Sequence, residues 1–210
     1  MIVLATNPLS GRFPRLRNKQ FPLFTYIVLT APPSDDRLAQ VGGQARQGIE
    51  DAEYDSLPRL TPDNRILFGG SDARSTSAGR WTALLDRDLN PEVFRWLRRD
   101  LWRTFPCLND VRIEHQWGGP VSVPADFLPA TGYLGNDRRI AHALGCLGPL
   151  VALMNMASQV MRNLVLERRS DLTDLFFVNH RVIPLPPEPV RLPVAEPIQG
   201  LSRVTAIRRR

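Results

Sequence analysis

The sequence predicts an α+β fold, an antiparallel sheet faced by one helix, beside a separate layer made of an opening strand and a long helix. Three observations carry this. Aromatic and β-branched runs or period-2 alternation mark strands at Phe21–Thr30, Arg65–Gly70 and Val111–Trp117. Helical periodicity follows a Pro-containing start at Asn90–Pro91. It returns after Gly148–Pro149, behind a strand-like run, giving strand, glycine turn and helix in succession.

Taken in order, MIVLATNPLSG opens on the short apolar run Ile2 to Leu4 and meets turn chemistry at Asn7-Pro8 and Ser10-Gly11. A strand buried on both faces needs neighbours, so this opening reads as an unusual edge strand or as a chain whose front part lies elsewhere. FPLFTYIVLT is the next strand, and RILFGG follows the turn Thr61-Pro62-Asp63-Asn64, which suggests a hairpin or meander. Asn90 is a helix N-cap with Pro91 at the first helical position, and Val93, Leu97, Leu101 and Phe105 recur at four-residue spacing to lay one face on a sheet. In VRIEHQW, Val111, Ile113 and His115 alternate with Arg112, Glu114 and Gln116, the pattern of a half-buried strand. After RIAHALGC, the helix carries Leu150, Leu153, Met154, Ala157, Val160, Met161, Leu164 and Val165 on one stripe. Beyond Asn179 the chain turns into VIPLPPEPVRLPVAEP, an extended Pro-rich segment expected to wrap over the surface.

Composition narrows the function. At 210 residues and 43% hydrophobic content the chain can bury a sizeable core. Its net charge of +6 comes from 27 basic and 21 acidic residues, with Lys19 the sole lysine. The arginines are spread along the chain with acids nearby, the pattern of a solvated surface and not of a nucleic-acid-binding stripe. Two cysteines, Cys107 and Cys146, make neither a disulfide framework nor a metal spacing, so a reducing cytoplasm is the expected location. No secretory signal is expected, because Pro8 and Gly11 interrupt the opening apolar run. The uncharged stretch Ala143 to Met161 contains Gly145, Gly148, Pro149, Asn155, Ser158 and Gln159, too polar for a lipid-facing span, so no membrane contact is expected. His115, His142 and His180 have no carboxylate or cysteine at ligand or triad spacing and read as structural or surface histidines; Asp126 reads as a turn former. No metal site and no catalytic acid–base pair is assigned.

In order, IVLATN, RLTPDNRILFGG, IEHQWGGP, DFLPATGYL and ALGCLG before a helix ending LVLER resemble the C-terminal half of FAD-dependent oxidoreductases of the D-amino-acid oxidase and glycine oxidase type. The resemblance runs from the opening strand to about Pro189. It implies a remnant of a Rossmann-like FAD-binding layer beside an antiparallel substrate-type domain. The chain would then divide into a remnant strand and linker at 1–20, a substrate-type domain at 21–125, a return to the FAD layer at 126–178, and a Pro-rich basic tail at 179–210.

On the same resemblance, Ala5, Thr6, Gly148, Pro149 and Leu150 fall at cofactor-binding positions, and Trp117, Gly118 and Gly119 at substrate-binding ones. The implied cofactor is FAD and the implied substrate a small amine or amino acid. The family binds the ADP part of FAD through a GxGxxG turn, and no GxGxxG occurs here. Pro149 removes an N–H donor and Leu150 adds bulk at the flavin-side turn, so the chain alone is expected to bind FAD weakly or not at all. Val121 stands near the place where amino-acid oxidases of the family put a carboxylate-clamping arginine, which resembles instead the amine-oxidising branch, such as gamma-glutamylputrescine oxidoreductases. Trp117 either walls the substrate cavity or is a core tryptophan at a strand end. Two functions stay open: a flavoenzyme part whose N-terminal half is absent through truncation or supplied by a separately encoded partner, or a non-catalytic remnant or interaction module that does not bind FAD.

Overall fold

The computed structural model describes residues 1–42, 56–71, 90–147 and 151–186. The strands are β1 (Ile2–Leu4), β2 (Phe21–Thr30), β3 (Ser56–Leu60), β4 (Ile66–Ser71), β5 (Ile113–Val123), β6 (Ala130–Tyr133) and β7 (Ile140–Leu144). The helices are α1 (Asp35–Val41), α2 (Pro91–Thr104) and α3 (Val151–Val165). One sheet has the order β3-β4-β2-β5 and the other β1-β7-β6. The fold is α+β, as the alternation of strand and helix signals predicts, with mixed and antiparallel pairing.

The described residues group into two compact units. One holds Met1–Leu23 and the described residues from Pro120 onward; the other holds the described residues from Phe24 to Gly119.

In the second unit, β4 pairs antiparallel with both β2 and β3. The β3–β4 turn closes where the sequence places it. Thr61 N–H donates to the Arg65 carbonyl at 2.9 Å, Arg65 N–H donates to Thr61 Oγ1 at 3.0 Å, and Asn64 takes the left-handed φ of 61° that Asn tolerates. Along β2, Phe24, Tyr26, Val28 and Thr30 are buried while Thr25, Ile27 and Leu29 are half-buried, the period of two that a strand imposes. Tyr26 meets Phe94 of α2 edge-to-face, with centroids 5.5 Å apart.

The α2 start is as predicted: Asn90 Oδ1 accepts from Glu92 N–H at 3.1 Å, and Pro91 opens the helix. Its buried stripe is Phe94, Leu97, Asp100 and Leu101, so the expected face is corrected, with Val93 and Phe105 only half-buried. Steps of four residues drift about 40° each around the axis, and only the middle of such a series stays on one face. β5 is longer than expected, and His115 is exposed where alternation predicts burial. As an edge strand β5 carries Pro120 without losing a ladder bond on its open side.

In the first unit, β1 pairs parallel to β7 and β6 antiparallel to it. β1 is an edge strand, with Ile2 58% and Val3 48% exposed, the first of the two readings that its lack of preceding neighbours allows. Helix α3 buries Ala157, Val160, Met161 and Leu164 against Ala141, and Tyr133 packs on the same cluster, as the stripe predicts. Leu153 and Met154 are half-buried and Val165 is exposed.

Beyond α3 the chain returns to the free edge of β6. Asn179 N–H donates to the Thr131 carbonyl at 2.8 Å, and Tyr133 N–H donates to Asn179 Oδ1 at 2.8 Å. The approach is so close that a methyl group on Gly132 would lie 2.8 Å from Asn179 N and 2.9 Å from its Cα. Gly132→Ala is therefore expected to lower stability by about 2–3 kcal/mol, because the obstacle is backbone. A methyl group on Gly119 meets no atom within 4 Å. Gly119→Ala should shift stability by less than about 0.5 kcal/mol; denaturant melts of the two variants check the contrast.

Candidate functional site

The parallel register of β1 and β7, Ile2 opposite Ile140 and Leu4 opposite His142, brings the carboxyl ends of both strands to one edge of their sheet. Ala5 and Thr6 leave β1 there, and Gly145, Cys146 and Leu147 leave β7. In sheets with parallel strands the crevice beyond such ends is where ligands bind. Gly148, Pro149 and Leu150 lie outside the described residues.

A buried chain of hydrogen bonds holds this edge. Gln20 Nε2 donates to the Asn7 carbonyl at 2.6 Å, in the 3-10 turn Asn7–Arg12 that follows β1. Ser122 Oγ, near the end of β5, donates to Gln20 Oε1 and accepts from Gly145 N–H at 3.0 Å. Gln20 and Ser122 are both fully buried. Four segments far apart in sequence are thus joined by one uncharged polar chain whose members satisfy one another.

Polar groups at the edge are largely committed. Thr6 Oγ1 is bonded to Ser10 Oγ at 2.8 Å, and the Gly145 N–H is bonded to Ser122. The buried Asn7 Oδ1, on a residue with φ of 44°, has no partner among the described residues. One acceptor and the exposed backbone of Ala5 do not make a complete dinucleotide site, and no N–H cluster for a pyrophosphate lies among the described residues of this edge.

Trp117, Gly118 and Gly119, the residues expected on the substrate side, sit on β5 in the other unit. Trp117 is 40% exposed, which excludes the fully buried core tryptophan, and Gly118 and Gly119 are half-buried. Thr25 Oγ1 of β2 donates to the Gly119 carbonyl at 3.3 Å and fixes the strand there. Toward the start of β5, Glu114 is bonded by Arg65 and, at 2.6 Å, by Arg112; Arg65 also reaches Asp63 at 2.6 Å. Arginine hydrogen bonding lowers the Glu114 carboxyl; at Asp63 the Thr61 hydroxyl lowers it most, with Arg65 next.

Two histidines and one acid form a group that sequence reasoning passed over. His142 on β7 is 7% exposed and held well below the ordinary 6.5, at about 4, first by burial and then by Lys19. His180 Nε2 lies 3.4 Å from Asp126 Oδ2, and its Nδ1 lies 3.0 Å from the Phe177 carbonyl. Asp126 still makes the expected turn, its Oδ1 accepting from Leu128 N–H at 3.2 Å. The pairing with His180 spans a separation that no local spacing rule detects. Among the described residues no group of three His, Cys, Asp or Glu side chains could hold a metal ion, and no helix is long and apolar enough to cross a membrane.

Comparison with known proteins identifies the group to which this arrangement belongs. The sequence profile described as FAD dependent oxidoreductase, DAO, matches residues 2–164. The chain belongs to this FAD dependent oxidoreductase family. It is 25% identical over 170 residues to the probable oxidoreductase OrdL of Haemophilus influenzae, covering 79% of this chain and 36% of the relative. To the gamma-glutamylputrescine oxidoreductase of Escherichia coli it is 29% identical over 153 residues, covering 72% of this chain and 33% of that protein. The chain thus spans about a third of the length of these curated relatives.

In fold it resembles the glycine oxidase of Geobacillus kaustophilus, with TM-score 0.64, 18% identity, and coverage of 85% of this chain and 45% of that one. It likewise resembles the L-proline dehydrogenase of P. horikoshii, with TM-score 0.65, 18% identity, and coverage of 82% and 44%.

The family match corrects one expectation. The motif order suggested a C-terminal half carrying a remnant layer; the match instead runs from residue 2 to residue 164, so most of this chain is a DAO-family domain. The opening strand, whose missing neighbours prompted the half-chain reading, finds its partner later in the same chain, in β7. Assignment to the amine-oxidising branch also falls away as a conclusion, since the relative that suggests it shares 29% identity.

The depressed His142 sets a pH dependence. Its neutral form is favoured in the folded chain, so below 6.5 the unfolded chain binds the proton first and stability falls with pH until the folded value near 4 is passed. The full loss amounts to about 3 kcal/mol. Denaturant midpoints measured from pH 7 to pH 4 should fall, and the slope should flatten in His142→Gln.

Proposed function

We propose that this chain takes part in FAD-dependent oxidation of a small amine or amino acid. Family membership supports the cofactor class, and the exposed Trp117 at a Gly-Gly step on β5 is the observation that supports a small-molecule site. Relatives named for glycine, L-proline and gamma-glutamylputrescine support a substrate that carries an amine. In this reading residues 21–125 supply the substrate side, with Trp117, Gly118 and Gly119 against the substrate. Residues 1–20 and 126–178 supply the flavin side through Ala5, Thr6, Gly148, Pro149 and Leu150, and 179–210 forms a tail.

In flavin enzymes the redox chemistry belongs to the cofactor, while the protein binds and orients. The chain's own contribution is shape and apolar contact. An indole face excludes water from one side of a small substrate, and glycines beside it let the backbone approach. The two free cysteines, both partly exposed, favour a reducing cytoplasm.

With no GxGxxG among these residues and with Pro149-Leu150 at the flavin-side turn, this reading has the chain by itself holding FAD weakly. Purified alone, the chain should show no flavin absorbance and no amine oxidase activity. Once FAD and a polypeptide carrying a GxGxxG turn restore turnover of a small amine, Trp117→Ala should raise KM about tenfold, about 1.4 kcal/mol of lost binding, with a smaller change in kcat. Stoichiometric FAD on the chain as purified would contradict the cofactor part, and an unchanged KM would remove Trp117 from the substrate site.

A further inference from the structure

The segment from Leu175 to Leu185 lies across the first unit as an irregular strap. Its anchors are separate points, each on a different part of the unit, among them the buried side chains of Phe177, Val182 and Leu185. Asn179 makes the two bonds to β6, and Thr131 N–H donates to the Phe177 carbonyl at 3.4 Å. His180 faces Asp126, Val182 enters the cluster of Leu16, Ala130, Leu134 and Leu144, and Leu185 N–H donates to the Asn18 carbonyl at 2.6 Å. Between these anchors Phe176 is 73% exposed and Ile183 55% exposed. Held at separate points and not by a continuous strand ladder, such a segment opens more readily than the paired strands beneath it.

His142 lies beneath it. Gly132, its cross-strand partner, is the residue on which Asn179 presses, and the Gly132 backbone favours the protonated ring, though by less than burial and Lys19 oppose it. Its Nδ1 is buried and has no hydrogen-bond partner among the described residues. A second proton on this ring therefore creates a buried cationic N–H with nothing to receive it. The charged and titratable groups facing the ring are Lys19, from the turn before β2, and His180, from the strap itself; both are basic, and Asp126 is turned to His180. Neither of these two groups rewards the charge, and the layer that must yield to let water reach it is the strap.

We propose that the Leu175–Leu185 strap is an acid-released latch, closed over neutral His142 and opened when that buried imidazole takes a second proton. Opening frees the outer edge of β6 and the sheet face beneath, while α3 and β7 stay folded. Upward movement of pH through the same range recloses it, so the device is reversible and needs no cofactor.

Hydrogen exchange on the full chain, corrected for the intrinsic rate at each pH, tests this. Between pH 7 and pH 4 the Asn179, Tyr133 and Leu185 amides should lose protection about 100-fold, as expected for a group titrating at the ordinary value when open and near 4 when closed. The β7 amide of Ala141 should stay more protected than the strap amides at every pH, since it needs global unfolding, and His142→Gln should leave the strap amides flat with pH. A loss of equal size in His142→Gln, strap amides no less protected than Ala141, or no loss at all would overturn the latch. Should His142→Gln not fold, the imidazole titration of the unaltered chain decides: a midpoint shared with the strap amides supports the latch, and separate midpoints refute it.

Discussion

The buried chain Asn7–Gln20–Ser122–Gly145 is the constraint on which the candidate site depends. It ties the turn after β1, the entry to β2, the end of β5 and the exit of β7 to one another, and these segments have no continuous backbone ladder in common. An amide and a hydroxyl suit the task because each can donate and accept at once, so two side chains satisfy four segments without burying a charge. Removing either leaves a donor or acceptor stranded at zero exposure, a cost larger than the gain from any single bond. The parallel ladder sets the two strand ends side by side, and this chain fixes the turns beyond them against the entry to β2 and the end of β5.

Around that fixed point the first unit is built from short pieces. β1 has three residues and β6 four, lengths that do not stabilise a sheet alone. Their stability comes from what covers them: α3 on one face through Val160, Met161 and Leu164, and the Leu16–Val182 cluster on the other. Asn179 then closes the open edge of β6 with one residue, its backbone and side chain doing what a further strand would do. The unit is thus determined by tertiary contacts, and its titrating weak point, His142, lies under the least regular of them.

How much of this was legible follows from the range of each signal. β2 and α2 were readable because their evidence is local: alternation in one run, and an N-cap with proline beside an apolar stripe. The α3 stripe was readable for the same reason. The burial of β5 was misjudged at His115 because alternation reports two faces and not which face is covered. Trp117-Gly118-Gly119 was visible as a feature, but its exposure depends on the strand continuing through Pro120 to Val123, which an edge position permits and the sequence does not announce. Gln20 with Ser122 and His180 with Asp126 carried no signal, since a polar pair separated by many tens of residues leaves no period to read. Asn179 is a similar case, its left-handed φ of 57° readable only as a turn.

The account stands or falls on whether Gln20 and Ser122 act as one unit. A double-mutant cycle with Gln20→Leu, Ser122→Ala and the pair together, followed by denaturant unfolding, measures this directly. The chain of bonds predicts that the double variant is little worse than either single one, with a coupling of about 1–2 kcal/mol. Destabilisations that simply add, to within about 0.5 kcal/mol, would show that the strand ends are held by something other than this contact.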